Sequence, residues 1–67
     1  MKTIKRYREA RGIKQVELAA RLGVAQPTIV YWESEGAYPP SRVMPELAAC
    51  LGCTIDELYA EDEPQAM

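Results

Sequence analysis

Four glycines divide this 67-residue chain into segments that are too short to form stable helices alone. Each glycine follows a run in which apolar residues recur every three or four positions, the spacing of one helix face. No run alternates apolar and polar residues for long enough to predict a strand. The sequence therefore predicts an all-α fold that is held together by packing between helices. The glycines are Gly12, Gly23, Gly36 and Gly52.

The segments between these glycines predict five short helices. Four of them span residues 3–11, 15–22, 26–34 and 42–51, and the fifth begins at Thr54. Thr3 and Ser41 are candidate N-caps, because a hydroxyl oxygen can accept a hydrogen bond from a first-turn N–H. Thr54 with Glu57 has the spacing of a capping box. Residues 1–60 are expected to form one domain, followed by a short acidic tail over residues 61–67.

The apolar faces of these helices predict one compact core. A chain of this length buries only about 60% of the surface that it exposes when unfolded, so its stability is expected to be marginal. Apolar residues make up 48% of the chain and charged residues 27%, which argues against disorder. The predicted core consists of Ile4, Tyr7, Leu18, Ala19, Leu22, Val24, Ile29, Trp32, Met44, Leu47, Ala48, Leu51, Ile55 and Leu58.

The residue content disfavours catalysis and metal binding. The chain has no histidine, which removes Ser-His-Asp, Cys-His and histidine–metal mechanisms. Cys50 and Cys53 form a C-x-x-C pair, but a zinc site needs two further ligands, and no histidine or third cysteine supplies them. Core packing is the favoured interpretation of both cysteines. We expect no enzymatic activity, no cofactor and no metal.

The start of the chain predicts a cytoplasmic setting. Charges follow Met1 where a signal peptide would have an apolar core. No run approaches the roughly 18 apolar residues of a membrane span, so no membrane partner is expected.

The net charge of −2 conceals an asymmetry along the chain. Residues 1–24 carry seven basic and two acidic side chains, whereas residues 25–67 carry one basic and eight acidic side chains. Such asymmetry indicates an interaction surface, although two solvated faces of opposite charge are an equally good interpretation.

Residues 15–34 have the layout of a helix-turn-helix. An eight-residue helix ends at Gly23, a three-residue turn follows, and a second short helix opens with polar residues. Ala19 is small, which suits a close crossing of the two helices, and Gly23 suits the positive φ of the turn.

An uncharged stripe is expected on the outer face of the second of these helices. Ile29 and Trp32 account for its core side, which leaves positions 27, 30, 31 and 34 outside. Amide, hydroxyl and apolar groups on such a face can contact base edges and thymine methyl groups in the major groove. A second apolar face for packing or dimerisation is the alternative.

Nearly the whole chain, residues 4–59, resembles the lambda-repressor-like, Cro-type (XRE) helix-turn-helix family. The resemblance implies the five-helix fold and sequence-specific binding of double-stranded DNA, usually by a homodimer on a palindromic operator. The function expected from it is that of a transcriptional regulator, most simply a repressor. The matching residues are Arg8, Gly12, Gln15 to Ala19, Leu22 to Val24, Gln26 to Ile29, Trp32, Glu33, Pro45 to Ala48, Leu51, Gly52 and Thr54 to Leu58.

The resemblance also implies roles for individual residues. It matches Arg8 and Glu33 to a family ion pair between the first and third helices. The implied base contacts are Gln26, Pro27, Thr28 and Tyr31. The implied DNA backbone contacts are Gln15, Ser34, Gly36 and Tyr38, to which the local basic residues add Lys14 and Arg42.

Three positions depart from the family pattern. Ala25 stands where a Ser or Thr cap is common, which predicts a loss of about 1 kcal/mol of helix capping. Glu35 occupies the usual glycine position, with Gly36 one residue later, and the loop over residues 36–40 has no basic residue. We therefore expect few phosphate contacts. A protein-interaction module that uses Val30, Tyr31 and Tyr38, as in an antitoxin or anti-repressor, is the alternative function.

Overall fold

A computed structural model describes residues 1–62 of the chain. Five α-helices make up this part, together with a 3₁₀ turn at Ser41–Val43, and it contains no strand. The prediction of an all-α, five-helix fold is confirmed. The helices are α1 Lys2–Ala10, α2 Gln15–Leu22, α3 Gln26–Glu33, α4 Met44–Leu51 and α5 Ile55–Asp62.

Two helices end in the same left-handed turn. Gly23 and Gly52 follow α2 and α4, each with a φ of +70°, which costs glycine least because it has no Cβ. After α2, the N–H of Val24 donates to the carbonyl of Ala19 at 3.0 Å. This arrangement satisfies carbonyl groups that a helix end leaves without partners. The position of Gly23 thereby sets the length of α2 and the start of the turn into α3.

The predictions that Thr3 and Ser41 are helix N-caps are wrong. Helix α1 begins at Lys2, and Thr3 lies fully buried inside it, where its Oγ1 donates to the carbonyl of Leu58 at 2.8 Å. Thr3 therefore joins α1 to α5. Ser41 lies in the 3₁₀ turn, and the N-cap of α4 is Val43, which makes no side-chain cap hydrogen bond.

The expected capping box of α5 is confirmed. The backbone N–H of Glu57 donates to Thr54 Oγ1 at 3.0 Å, and the backbone N–H of Thr54 donates to Glu57 Oε1 at 2.8 Å. The backbone N–H groups of Thr54 and Glu57 are thus each satisfied by the side chain of the other residue.

One hydrophobic cluster runs through all five helices. Ten of the predicted core residues are buried, and Tyr7, Leu22, Val24 and Ile55 are half-buried against them. The sequence prediction missed Met1, which is almost fully buried in the same cluster. Cys50 and Cys53 are half-buried and pack against this core, as expected.

The C-terminal boundary differs slightly from the expectation. Helix α5 ends at Asp62, two residues beyond the domain boundary that the sequence suggested. Residues 63–67 of the expected acidic tail lie outside the described part of the chain. Every helix within residues 1–62 falls short of the length and apolar character that crossing a membrane requires.

Candidate nucleic-acid interface

Helices α2 and α3 pack closely through small and branched side chains. Ala19 of α2 and Ile29 of α3 are both buried in the shared core. Residues 23–25 form the turn between the two helices. The predicted helix-turn-helix over residues 15–34 is therefore present, with α3 as its second helix.

The first turn of α3 has no side-chain cap. Ala25 occupies the N-cap position and offers no oxygen to the first-turn N–H groups. Pro27 lies in that turn and lacks an N–H, so it removes one donor that would otherwise need a partner.

The outer face of α3 is uncharged and exposed, as the pattern predicted. Pro27, Val30, Tyr31 and Ser34 are all exposed, with Tyr31 at 64% and Val30 at 49% of their full surface. Gln26 is also exposed, whereas Thr28 is half-buried beside them. This face combines an amide, hydroxyl groups and apolar surface, the groups that contact base edges in a major groove.

A buried ion pair holds the end of α3 against α1. Arg8 Nε lies 2.6 Å from Glu33 Oε2, and Arg8 Nη2 donates to Glu33 Oε1 at 3.3 Å. Arg8 Nη1 donates to the carbonyl of Ile13 at 2.9 Å, in the turn before α2. One guanidinium thus ties together α1, α3 and the α1–α2 turn.

Two glutamines extend this ion pair to the surface. Gln15, the first residue of α2, donates from Nε2 to Glu33 Oε1 at 3.0 Å. Gln26, the first residue of α3, donates from Nε2 to Gln15 Oε1 at 3.4 Å. We call the Gln26–Gln15–Glu33 chain the amide relay. It connects the buried end of α3 with the exposed start of the same helix by way of α2.

The α-amino group of Met1 holds the other side of the α3 terminus. Its ammonium donates to the carbonyls of Trp32, Ser34 and Ala37 at 2.8, 2.7 and 2.5 Å. Sequence reasoning missed this contact, and no side-chain pattern could have shown it because donor and acceptors are all backbone groups.

The loop after α3 has two further contacts that the sequence did not reveal. Lys2 Nζ lies 3.6 Å from Glu35 Oε2 in an exposed ion pair. Tyr38, which is 49% exposed, stacks on Tyr59 of α5 with ring centroids 6.5 Å apart. Glu35, which stands where the resembled family usually has glycine, thus pairs with Lys2 of α1. The Tyr38–Tyr59 contact fixes the other end of the loop to α5.

The remaining predicted contact residues are all exposed. Lys14 immediately precedes α2, and its backbone N–H donates to Glu17 Oε1 at 2.9 Å. Ser34 directly follows α3, and its Oγ donates to the carbonyl of Tyr31. Gly36 lies in the loop with a φ of +84°. Arg42 lies further along the chain, in the 3₁₀ turn.

Among residues 1–60, whose side chains the structure describes, no group of three or more acidic or cysteine side chains is arranged to hold a metal ion. The exposed charge of this part is uneven between its two ends. Lys2, Lys5 and Arg6 are exposed on α1, whereas Glu46 on α4 and Asp56 on α5 are exposed near the end of the chain.

Two comparisons with known proteins agree with this geometry. The family model described as helix-turn-helix matches residues 4–58. An uncharacterized HTH-type transcriptional regulator of Archaeoglobus fulgidus is 35% identical over 63 residues, covering 92% of this chain and 89% of the relative. No solved structure matches the chain significantly. The chain therefore belongs to the lambda-repressor-like, Cro-type (XRE) helix-turn-helix family of DNA-binding regulators.

Proposed function

We propose that the protein binds a specific double-stranded DNA sequence through α3 in the major groove and acts as a transcriptional repressor. The observation that carries this proposal is the exposed, uncharged face of α3, which a buried ion pair holds against the rest of the fold. Helix-turn-helix proteins read bases with the second helix of the motif. A rigid α3 would keep its base contacts in register.

The base contacts that we propose follow from the chemistry of this face. The amide of Gln26 and the hydroxyl of Thr28 can exchange hydrogen bonds with base edges. Pro27 and the ring of Tyr31 offer apolar surface to a thymine methyl group, with Val30 beside them. Polar groups near the start of α3 and apolar surface further along it would together select a sequence.

The DNA backbone contacts that we propose flank this face. Lys14 and Gln15 lie at the start of α2, and Ser34, Gly36 and Tyr38 follow the end of α3. Lys14 and Arg42 are the two cations among these residues, so shape and hydrogen bonding would supply much of the affinity.

The proposal includes a homodimer on DNA. An eight-residue helix is about 12 Å long and spans only a few base pairs, which is little sequence information for one regulator. Two copies on a palindromic operator would double the number of base pairs read.

Repression and a cytoplasmic setting complete the proposal. The relative from Archaeoglobus fulgidus is named a transcriptional regulator, which supports a regulatory role for the DNA contact. A small domain that occupies its operator can block a promoter without any further contact, so we propose repression without enzymatic activity, cofactor or metal.

Selection of bound sequences from a random DNA pool tests this function. The selected site is then used in gel shifts with wild type, Gln26→Ala and Tyr31→Ala, with Glu46→Ala on α4 as the control. We expect both α3 variants to lose affinity for the selected site and the control to keep it. Unchanged affinity in both α3 variants would show that α3 does not read the bases.

Exposed apolar groups favour a protein-interaction module as the second candidate. The side chains of Val30, Tyr31 and Tyr38 are each about half exposed or more. Such exposed apolar surface suits contact with a protein partner as well as with DNA bases. The same selection separates the two candidates, because a protein-interaction module would enrich no DNA sequence above background.

A further inference from the structure

We propose that the α-amino group of Met1 is a modification site, at which an acyl group, formyl or acetyl, prevents DNA binding. The ammonium holds the end of α3 and the loop that follows it. Acylation would remove its charge and two of its N–H groups. The effect on DNA binding rests on the proposed function, since it requires a DNA sequence that the unmodified protein binds.

The ammonium of Met1 lies in a site that matches its three N–H groups. It donates to the carbonyls of Trp32, Ser34 and Ala37 at 2.8, 2.7 and 2.5 Å. Met1 is only 1% exposed, and its side chain belongs to the hydrophobic core. The nitrogen therefore cannot turn outward unless that side chain leaves the core.

This contact positions the end of α3 and the loop after it. The last carbonyls of a helix have no partner within the helix and carry the negative end of its dipole, which a cation stabilises. The last turn of α3 has no basic side chain, so the ammonium supplies that charge. The carbonyl of Ser34 also accepts from the N–H of Ala37 at 3.3 Å, which closes the loop around Gly36. Ser34 and Gly36 are two of the DNA backbone contacts that we propose.

Acylation replaces the ammonium by a neutral amide. In acetylation, the neutral amine attacks the carbonyl carbon of an acetyl thioester. A C–N bond forms, the C–S bond breaks, the thiol leaves and the nitrogen loses a proton. A formyl group left from initiation gives the same kind of amide, and its hydrolysis by water releases formate and restores the amine. Either amide has one N–H and would place its own oxygen among three carbonyl acceptors. Two of these carbonyls would lose their donor.

Burial of the nitrogen determines when acylation can occur. In the folded protein the amine is enclosed and protonated, so it has no lone pair with which to attack an acyl donor. Acyl transfer therefore requires local opening of the start of the chain. Folding protects an unmodified chain, whereas a chain that is acylated before it folds cannot form the contact with α3.

Chemical synthesis of the 67-residue chain tests the inference. The unmodified protein is compared with its Nα-formyl and Nα-acetyl forms and with a desamino form, in which hydrogen replaces the amino group of Met1. The desamino form is the control for bulk, because it removes the donors and adds no atoms. A protein acetylated on Nζ of Lys5 is the control for charge, because this amine is exposed on the same helix. Fluorescence anisotropy measures affinity for the selected DNA site, and urea denaturation measures stability.

We expect both Nα-acyl forms to bind the selected site about 10-fold or more weakly than the unmodified protein. An acylated chain that does not fold supports the inference equally, because it cannot bind. The desamino form should also lose affinity, since the same carbonyls lose their donor. Acetylation of Lys5 should leave stability unchanged and preserve most of the affinity.

The reactivity of the amine provides a measurement that does not involve DNA. An acetylating reagent, the N-hydroxysuccinimide ester of acetic acid, is applied to the unmodified protein with and without urea, and peptide mass spectrometry follows each amine. Met1 should react about 10-fold or more slowly in the folded protein than in the unfolded protein. Nζ of Lys5 should react at similar rates in both, which makes it the internal control.

Two results would overturn the inference while the proposed function stands. One is unchanged affinity and stability in both Nα-acyl forms. The other is equally fast acetylation of Met1 in the folded and unfolded protein, which would show that the amine is not held at α3. If the unmodified protein selects no DNA sequence, the proposed function fails and the effect on DNA binding fails with it. Stability and reactivity would then still decide whether acylation releases the end of α3.

Discussion

Arg8 and Glu33, twenty-five residues apart in the chain, meet with Arg8 Nε 2.6 Å from Glu33 Oε2 and only 9% and 6% of their side chains exposed. The amide relay begins at this pair, because Gln15 Nε2 donates to Glu33 Oε1, which also accepts from Arg8 Nη2. The ion pair thus connects the stability of the fold with the geometry of the exposed start of α3.

Removal of either partner should destabilise the protein by more than a surface ion pair would. Arg8→Met leaves Glu33 buried without a counter-charge, which costs about 3–5 kcal/mol in comparable sites. Urea denaturation measures the change in the free energy of unfolding. The double variant Arg8→Met with Glu33→Met is the control, since it leaves no unpaired charge and should recover part of the loss. Equal stability of Arg8→Met and wild type would contradict a structural role for the pair.

Gly23 and Gly52 should respond differently to alanine although both have a φ of +70°. Either substitution places a side chain in the left-handed region, at a cost of roughly 1–2 kcal/mol. A Cβ at Gly23 meets nothing within 4 Å, whereas at Gly52 it would lie 1.7 Å from Arg11 Nη2. We therefore expect Gly52→Ala to cost more, because Arg11 must move and gives up its 3.3 Å hydrogen bond to the Gly52 carbonyl.

Thermal unfolding of both glycine variants in a protein that also carries Arg11→Ala tests whether Arg11 causes the difference between them. In that background the two glycine substitutions should lower Tm by similar amounts. A difference that persists without the Arg11 guanidinium would place its cause elsewhere.

The contrast between these glycines and Thr3 shows which features local sequence could predict. Gly23 and the spacing of Leu18, Ala19 and Leu22 are sufficient to define α2 and the turn after it. Thr3 near the start of a helix has the same local pattern as an N-cap. Its actual partner, the Leu58 carbonyl, is fifty-five residues away and becomes visible only when α1 packs on α5.

The sequence predicted that α4 begins at residue 42, but the helix begins at Met44, and Pro45 explains the difference. A helix beginning at residue 42 would place Pro45 where an N–H to the carbonyl of Ser41 is required, and proline has none. The chain instead forms a 3₁₀ turn at Ser41–Val43, and α4 starts at Met44 with Pro45 in its first turn. The exposed face of α3 was predictable because it depends on periodicity alone, whereas the amide relay depends on tertiary contacts.

An extension of the chain ahead of Met1 should weaken the fold. A Gly-Ser extension converts the ammonium of Met1 into an amide with a single N–H, so it can no longer satisfy the carbonyls of Trp32, Ser34 and Ala37 together. Leaving buried acceptors without partners costs about 1–3 kcal/mol. Urea denaturation compares this protein with one that carries the same extension after Met67. Identical midpoints for both extended proteins would contradict a role for the ammonium.

Salt dependence of DNA binding should be shallow because few cations flank the exposed face of α3. Lys14 and Arg42, with help from helix N-termini and the basic first helix, are expected to neutralise roughly two to four phosphates per subunit. The slope of log K against log salt concentration should then lie between about −2 and −4 per subunit. Titration of the selected DNA site by fluorescence anisotropy at several salt concentrations measures this slope.

Two variants distinguish charged phosphate contacts, which change the salt slope, from base contacts, which do not. Lys14→Met should make it shallower by about 0.9, the value of one phosphate contact, on every DNA sequence. Gln26→Ala should leave the slope unchanged and reduce affinity only for the selected site, because a neutral amide displaces no counterion. A wild-type slope steeper than about −7 per subunit would imply eight or more phosphate contacts. Most of the basic residues of α1 and α2 would then have to lie on the DNA, which the expected number of roughly two to four phosphate contacts per subunit does not allow.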